Sequence, residues 1–284
     1  MTQQGLLALV LVVKTHHRAS GFFANNYFLI NFLWNAVSPR AESGLCGQKL
    51  AMSEFSFLAT PEKGNVDAIL LRPKKAIALL VLAHGAGADL HHRHMTALAE
   101  AFYEKNIATL RFNFPYMQQG KPRTDTPAIC IETFTNAIGT ARQKIKGVPL
   151  FIGGHSFGGR MSSHYIAETR DKRVTGLIFC SFPLHNPKKP ETKRAEHLYD
   201  LETPMLFLSG TRDPMGDPSL IKPTIKKIMH ARLHRLDTAD HSYKILKRTR
   251  KSKEDVYAEA ARVAASWITE LNEHNRGKQY AYPR

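Results

Sequence analysis

Cysteine is scarce in this chain. Cys46, Cys130 and Cys180 lie far apart, are odd in number and keep no metal-ligand spacing, which argues against a disulfide framework and fits a reducing compartment, hence a cytoplasmic location. Cys180 falls inside the apolar run Leu177-Ile178-Phe179-Cys180 and reads as a small core residue. Long apolar runs are missing too. Leu6 to Val13 is too short to span a bilayer. No Lys or Arg precedes it and no small-residue cleavage site follows closely, so it fits a signal peptide poorly. Phe22 to Trp34 is interrupted by Asn25, Asn26 and Asn31, so no stable membrane span is expected. Internal repeats and low-complexity segments are absent. Acidic side chains are few: 24 Asp and Glu face 40 Lys and Arg, giving a net formal charge of +16. Such an excess can serve nucleic acid, an anionic membrane surface or acidic substrates. Here the basic residues are scattered, no nucleic-acid-binding motif accompanies them, and only Lys247 to Lys253 is dense. A basic solvated surface is therefore preferred to a nucleic-acid partner. Oligomeric state is not legible.

What is present divides at Met52. Residues 1–51 carry five charged residues, Lys14, Arg18, Arg40, Glu42 and Lys49, and no clear cap or periodic pattern. They are read as an N-terminal extension, disordered or from a mis-called start with Met52 as the true one; a membrane anchor or export signal is the alternative. Residues 52–284 then fit a single domain with a substantial core.

Glu54 to Thr60 and Val66 to Leu71 alternate around a Pro61-to-Asn65 turn and predict a hairpin. Ile77 to Leu82 is a continuous apolar run, as expected of a strand buried on both faces. Further strands are expected at 107–112, 148–153, 174–180, 205–208 and 232–236, and helices at 95–103, 126–146, after the Gly154-to-Gly158 turn, at 220–229 and at 253–273. Strands alternating with helices predict an α/β fold, a mainly parallel sheet with helices on both faces and a ligand site at the carboxyl ends of the strands.

The most informative stretch is Gly153-Gly154-His155-Ser156-Phe157-Gly158-Gly159-Arg160, between a predicted strand and a predicted helix. A serine with glycines two residues away on each side is the layout of a nucleophile elbow, whose tight turn leaves no room for side chains at those positions. A serine hydroxyl needs a base beside it and a carboxylate to orient that base, and in this layout they follow in the order serine, acid, histidine. Asp213, just past the strand at 205–208, is the best acid, with Asp217 as fallback; His241 is the best base. Asp240, its neighbour, reads as a turn residue. Two backbone N–H groups should face the developing oxyanion. One is that of Phe157, the other that of Ala86 in His84-Gly85-Ala86-Gly87, with Gly85 the alternative. Substrate contacts are expected from His84, Gly85, His155, Tyr116 and His185, and Arg160 is either a site residue or a salt-bridging one. His91-His92-Arg93-His94 invites a metal reading, but no separated ligand motif completes it and adjacent histidines rarely face one ion.

These residues resemble the α/β-hydrolase superfamily. Within it the nearest likeness is to the bacterial predicted hydrolases related to the mammalian testis-expressed hydrolase-like protein and the third subunit of the NSL histone-acetylation complex. It rests on residues 83–89, 111–117, the elbow, 182–187, 208–213 and 239–242, in one order. The resemblance implies a triad of Ser156, Asp213 and His241, and no metal or organic cofactor. One departure is His155, where this family often has Arg. The segment 181–203 is short and polar, so little or no lid is expected. The reading is a serine hydrolase acting on a small-molecule ester, thioester or similar acyl bond. A catalytically idle interaction protein and a peptidase of the same fold stay open.

Overall fold

The computed structural model describes residues 50–280. Eight strands form one sheet in the order β1-β2-β4-β3-β5-β6-β7-β8. Its antiparallel edge is the expected hairpin, β1 (Met52–Thr60) and β2 (Gly64–Leu71), with Met52 opposite Leu71. The other strands are β3 (Ala78–Ala83), β4 (Ile107–Phe112), β5 (Leu150–His155), β6 (Val174–Cys180), β7 (Met205–Gly210) and β8 (Ala231–Leu236). β2 meets β4 antiparallel, and from β4 to β8 every pairing is parallel.

The central strands read as continuous apolar runs because both faces are covered. Leu79, Val81 and Ala83 of β3 join the core under α3 (Pro127–Lys144) and α4 (Phe157–Thr169). Leu80 and Leu82 point the other way, into the core with α1 (Arg93–Glu104) and α6 (Val256–Tyr280). Each of these leucines is fully buried, which stabilises the fold by about 1.5–3 kcal/mol per side chain before entropy is charged against it. Two short elements stand where loops were expected, α2 (Pro115–Gln118) and a 3₁₀ helix at Lys193–Asp200. α5 (Pro218–Lys226) starts at Asp217, whose carboxylate caps Ser219 N–H at 2.8 Å.

Every parallel strand delivers its carboxyl end to the same edge of the sheet. Between β6 and β7 the chain carries only the 3₁₀ helix and one isolated bridge, Asn186 to Lys189, and it lies flat by burying Phe182, Leu184, Ala195 and Leu198. The fold therefore has little or no lid over that edge.

The expectation for residues 1–51 falls outside the described residues, Leu50 and Ala51 excepted; the Ala51 carbonyl prolongs the hairpin by accepting Arg72 N–H at 2.9 Å. Cys46 also lies outside, while Cys130 and Cys180 are free and buried. Among the described residues no helix is long and apolar enough to cross a membrane. The dense basic run needs a correction: Arg250 turns inward, with 2% of its side chain exposed, and pairs with Glu259.

Candidate active site

Ser156 stands at the junction of β5 and α4 with φ 50° and ψ −112°, a conformation costly for any residue with a side chain. The turn is held by Ser156 N–H donating to Cys180 O at 3.0 Å and by Arg160 N–H closing on Ser156 O at 3.0 Å. The glycines around it have a steric cause. A Cβ on Gly154 would lie 2.2 Å from Ala83 O, because β5 pairs with β3 there, and one on Gly158 2.4 Å from the same carbonyl, because the start of α4 passes β3 in backbone contact.

Two loops bring the other groups to this turn. After β7, Thr211 N–H donates to Leu236 O and Arg212 N–H to Ala239 O, tying the 211–213 turn to the 237–241 loop. Gly210 permits the approach, since a Cβ there would meet Ala239 O at 2.3 Å. The result is a continuous chain of contacts. Ser156 Oγ lies 2.8 Å from His241 Nε2, and His241 Nδ1 lies 2.9 Å from both carboxylate oxygens of Asp213. Asp213 is buried, and its Oδ1 also accepts Met215 N–H at 2.8 Å and Gly216 N–H at 3.2 Å. Those bonds fix the carboxylate before it meets the imidazole. Asp240 faces away from the ring and accepts Ser242 and Lys244 N–H, each at 2.9 Å, as a turn residue does. Asp217, the fallback acid, is occupied by its helix cap.

Opposite the serine, the loop after β3 exposes Ala86 and buries Gly85. Tyr116 OH donates to Ala86 O at 2.8 Å, which orients that peptide. Phe157 packs edge-on against Phe114 and Tyr116, with ring centroids 5.5 and 6.2 Å away. Among the described residues the N–H groups of Ala86 and Phe157 donate to no protein acceptor.

The side chains expected at the substrate are all buried and hydrogen-bonded within the protein. His84 has no exposed surface; its Nε2 accepts Phe114 N–H at 3.0 Å, so Nδ1 carries the proton and donates to Gly85 O at 2.8 Å. Burial depresses its pKa to about 4, in keeping with that neutral tautomer. His185 is likewise enclosed, with Nε2 accepting Asp217 N–H at 3.4 Å and Nδ1 bonded to Asn186 O at 3.0 Å. His155 donates from Nε2 to His241 O at 2.9 Å, and Tyr116 is spent on Ala86. These four side chains bind the loops around the serine to one another, and Gly85 matters for its size: a Cβ there would lie 2.8 Å from His155 Nδ1.

A domain model described as "Alpha/beta hydrolase domain" matches residues 76–269. The chain belongs to that family. Solved structures of similar fold include an alpha-beta serine hydrolase homologue from Coxiella burnetii, with a TM-score of 0.58 and 17% identity over 79% of this chain and 99% of that one. An esterase domain from Rhodothermus marinus gives 0.57 and 17%, over 77% and 98%. A serine hydrolase described as lacking a lid, from Xanthomonas campestris, gives 0.55 and 17%, over 81% and 97%. At such identities the likeness shows the fold alone.

Other residues around this α/β-hydrolase site escaped sequence reasoning. His94 leans on His155 with ring centroids 4.4 Å apart, and its Nδ1 meets Tyr257 OH at 2.9 Å. Tyr243 OH donates to Leu208 O at 3.1 Å under the His241 loop. The histidine run that suggested a metal diverges: His92 accepts His94 N–H at 3.3 Å at the start of α1, His94 turns into the core and His91 stays exposed. Among the described residues no three His, Cys, Asp or Glu side chains are grouped to hold a metal ion.

Proposed function

We propose that the protein is a serine hydrolase that cleaves an ester, thioester or similarly activated acyl bond. The observation that carries this reading is the unbroken line from Asp213 through His241 to Ser156 Oγ, with contacts of 2.9 and 2.8 Å. Asp213 accepts a hydrogen bond from Nδ1–H, which holds the proton on Nδ1 and leaves Nε2 free to receive the serine proton. Ser156 Oγ then attacks the acyl carbonyl as that proton moves to His241. The resulting oxyanion is received by the N–H groups of Phe157 and Ala86, a donor pair in which each member is worth about 10²–10³ in rate. His241 returns its proton to the leaving alcohol or thiol, and water reverses the sequence to free the acid and restore Ser156.

The short, flat segment between β6 and β7 supports small or soluble substrates over a lipid surface. The catalytic unit would be the domain expected over 52–284, and the compact unit starting at Leu50 supports that boundary. A fluorophosphonate probe tests the proposal on the full chain. Stoichiometric labelling of the wild type, abolished in Ser156→Ala, is expected; a folded protein that takes no label, or a Ser156→Ala variant that still does, would leave an idle hydrolase-fold protein.

A further inference from the structure

One turn along α4 from the nucleophile lies a group of basic side chains without an acid. Arg160 lies in the first turn of α4, four residues after Ser156, and its N–H donates to Ser156 O at 3.0 Å. Its guanidinium is half-buried, and its Nε is enclosed and bonded to nothing. The charge of Arg194 on the 3₁₀ helix acts on Arg160, and the one hydrogen bond of the Arg194 side chain is a long one, 3.5 Å to Pro183 O, just past the carboxyl end of β6. Among the described residues neither arginine forms a salt bridge. Nearby carboxylates are used elsewhere or face solvent: Asp125 accepts Tyr116 N–H at 2.7 Å, Glu191 pairs with Lys189 at 3.3 Å and Glu196 is exposed.

Two histidines complete the group. His164 and His197 stack with centroids 4.1 Å apart and ring planes 14° from parallel, and His197 Nε2 meets Ser163 Oγ at 2.8 Å. Burial is the main reason that both are held below the usual histidine range, and the Arg160 charge adds to it. Partly buried cations are ordinarily paired, because desolvating a charge without a partner is costly. Two guanidinium groups near enough for one charge to act on the other, one of them in the first turn of the helix that starts at Ser156, offer the forks with which arginine holds carboxylate and phosphate.

We propose that Arg160 and Arg194, backed by His164 and His197, form an anion-binding subsite of the Ser156 site, and that the acyl substrate carries a carboxylate or phosphate a few carbons from the reacting carbonyl. The inference rests on the hydrolase reading for its substrate and on the arginines alone for its ligand. The net charge of +16 would draw such substrates to the molecule.

Two measurements on the full chain test it. The first compares kcat/KM for the p-nitrophenyl monoester of glutarate with that of p-nitrophenyl pentanoate, a neutral ester of similar length. The wild type should favour the anionic ester at least tenfold. That ratio should fall toward one in Arg160→Met and, on the neighbouring element, in Arg194→Met, and recover in part in Arg160→Lys. A wild-type ratio near one, or a ratio that folded Met variants leave unchanged, overturns the subsite. The second titrates Ser156→Ala with glutarate and with inorganic phosphate by calorimetry, which needs no turnover. Tighter glutarate binding assigns a carboxylate substrate and tighter phosphate binding a phosphorylated one, with loss of either in Arg160→Met; binding of neither overturns the subsite. Should the probe leave Ser156 unlabelled, the hydrolase reading falls and this titration still decides the anion site.

Discussion

His155, the residue before the serine, reaches across the site to hold the carbonyl of His241 at 2.9 Å. One imidazole thereby fixes the backbone of the proposed base while its other edge lies against Gly85 of the proposed oxyanion loop. His155→Phe keeps the ring and removes the donor, so the loop bearing His241 loses its tether to the elbow. Displacements of about 1 Å in such groups cost up to 10²-fold. We expect fluorophosphonate labelling of the variant to slow by about tenfold or more while the protein stays folded; a labelling rate equal to that of the wild type would remove His155 from this role.

Asp213 is the second test. An amide in its place still accepts from Met215 or Gly216 N–H, but it presents no carboxylate to the His241 Nδ1 proton, and the imidazole tautomer needed for proton transfer is lost. Asp213→Asn should lower kcat by about 10³–10⁴. Asp217→Asn preserves a good helix cap on α5 and should leave kcat within about threefold. Steady-state kinetics on the two variants separate the acids, and equal losses in both would discredit Asp213.

Much of this arrangement was legible for steric reasons. β4 and β6 were bounded as they are found, Ile107–Phe112 and Val174–Cys180, because burial on both faces writes a strand as an apolar run closed by turn residues. The elbow stood out because only glycine tolerates a carbonyl 2.2–2.4 Å from its Cβ position. The order and strand-end positions of Ser156, Asp213 and His241 singled out three side chains that the fold brings into hydrogen-bond distance. What stayed hidden depends on long-range packing. His84 and His185 sit beside motifs and were expected at a ligand, yet their partners, Phe114 and Asp217, are distant in sequence. The 3₁₀ helix at Lys193–Asp200 is mostly polar and buries only Ala195 and Leu198, too short a pattern to stand out, and Arg250 is indistinguishable from its exposed neighbours until Glu259 is placed beside it.

The close passage of α4 over β3 predicts a sharp contrast between glycines. In Gly158→Ala the new methyl would lie 2.4 Å from Ala83 O and 2.7 Å from His84 O, both backbone atoms that cannot turn aside. The variant should lose about 3 kcal/mol or more, or fail to fold. Gly139→Ala, on α3 with nothing within 4 Å, should gain about 0.5–1 kcal/mol through helix propensity. Urea denaturation of both compares them directly, and a Gly158→Ala protein as stable as the wild type would mean that helix and strand are further apart.

Stability should fall as the solution is acidified, and buried histidines set the range. Burial is the first cause lowering each of His84 to about 4, His155 to about 4 and His94 to about 2, against an ordinary value of 6.5. Between pH 6.5 and 4 the unfolded chain therefore binds protons that the folded chain refuses, and stability rises with pH. It is fully present above pH 6.5 and is lost as pH falls toward the folded values, by about 1.4 kcal/mol per pH unit for each histidine. His94→Phe retains a ring against His155 and Tyr243 and removes one of these proton sites. Losing the contact with Tyr257 lowers its stability at every pH, so the slope is the quantity to read. Urea titrations at pH 7, 6 and 5 should show a steep fall in wild-type stability and a slope in His94→Phe that is shallower by about one proton; equal slopes would mean that His94 is already protonated in the folded protein.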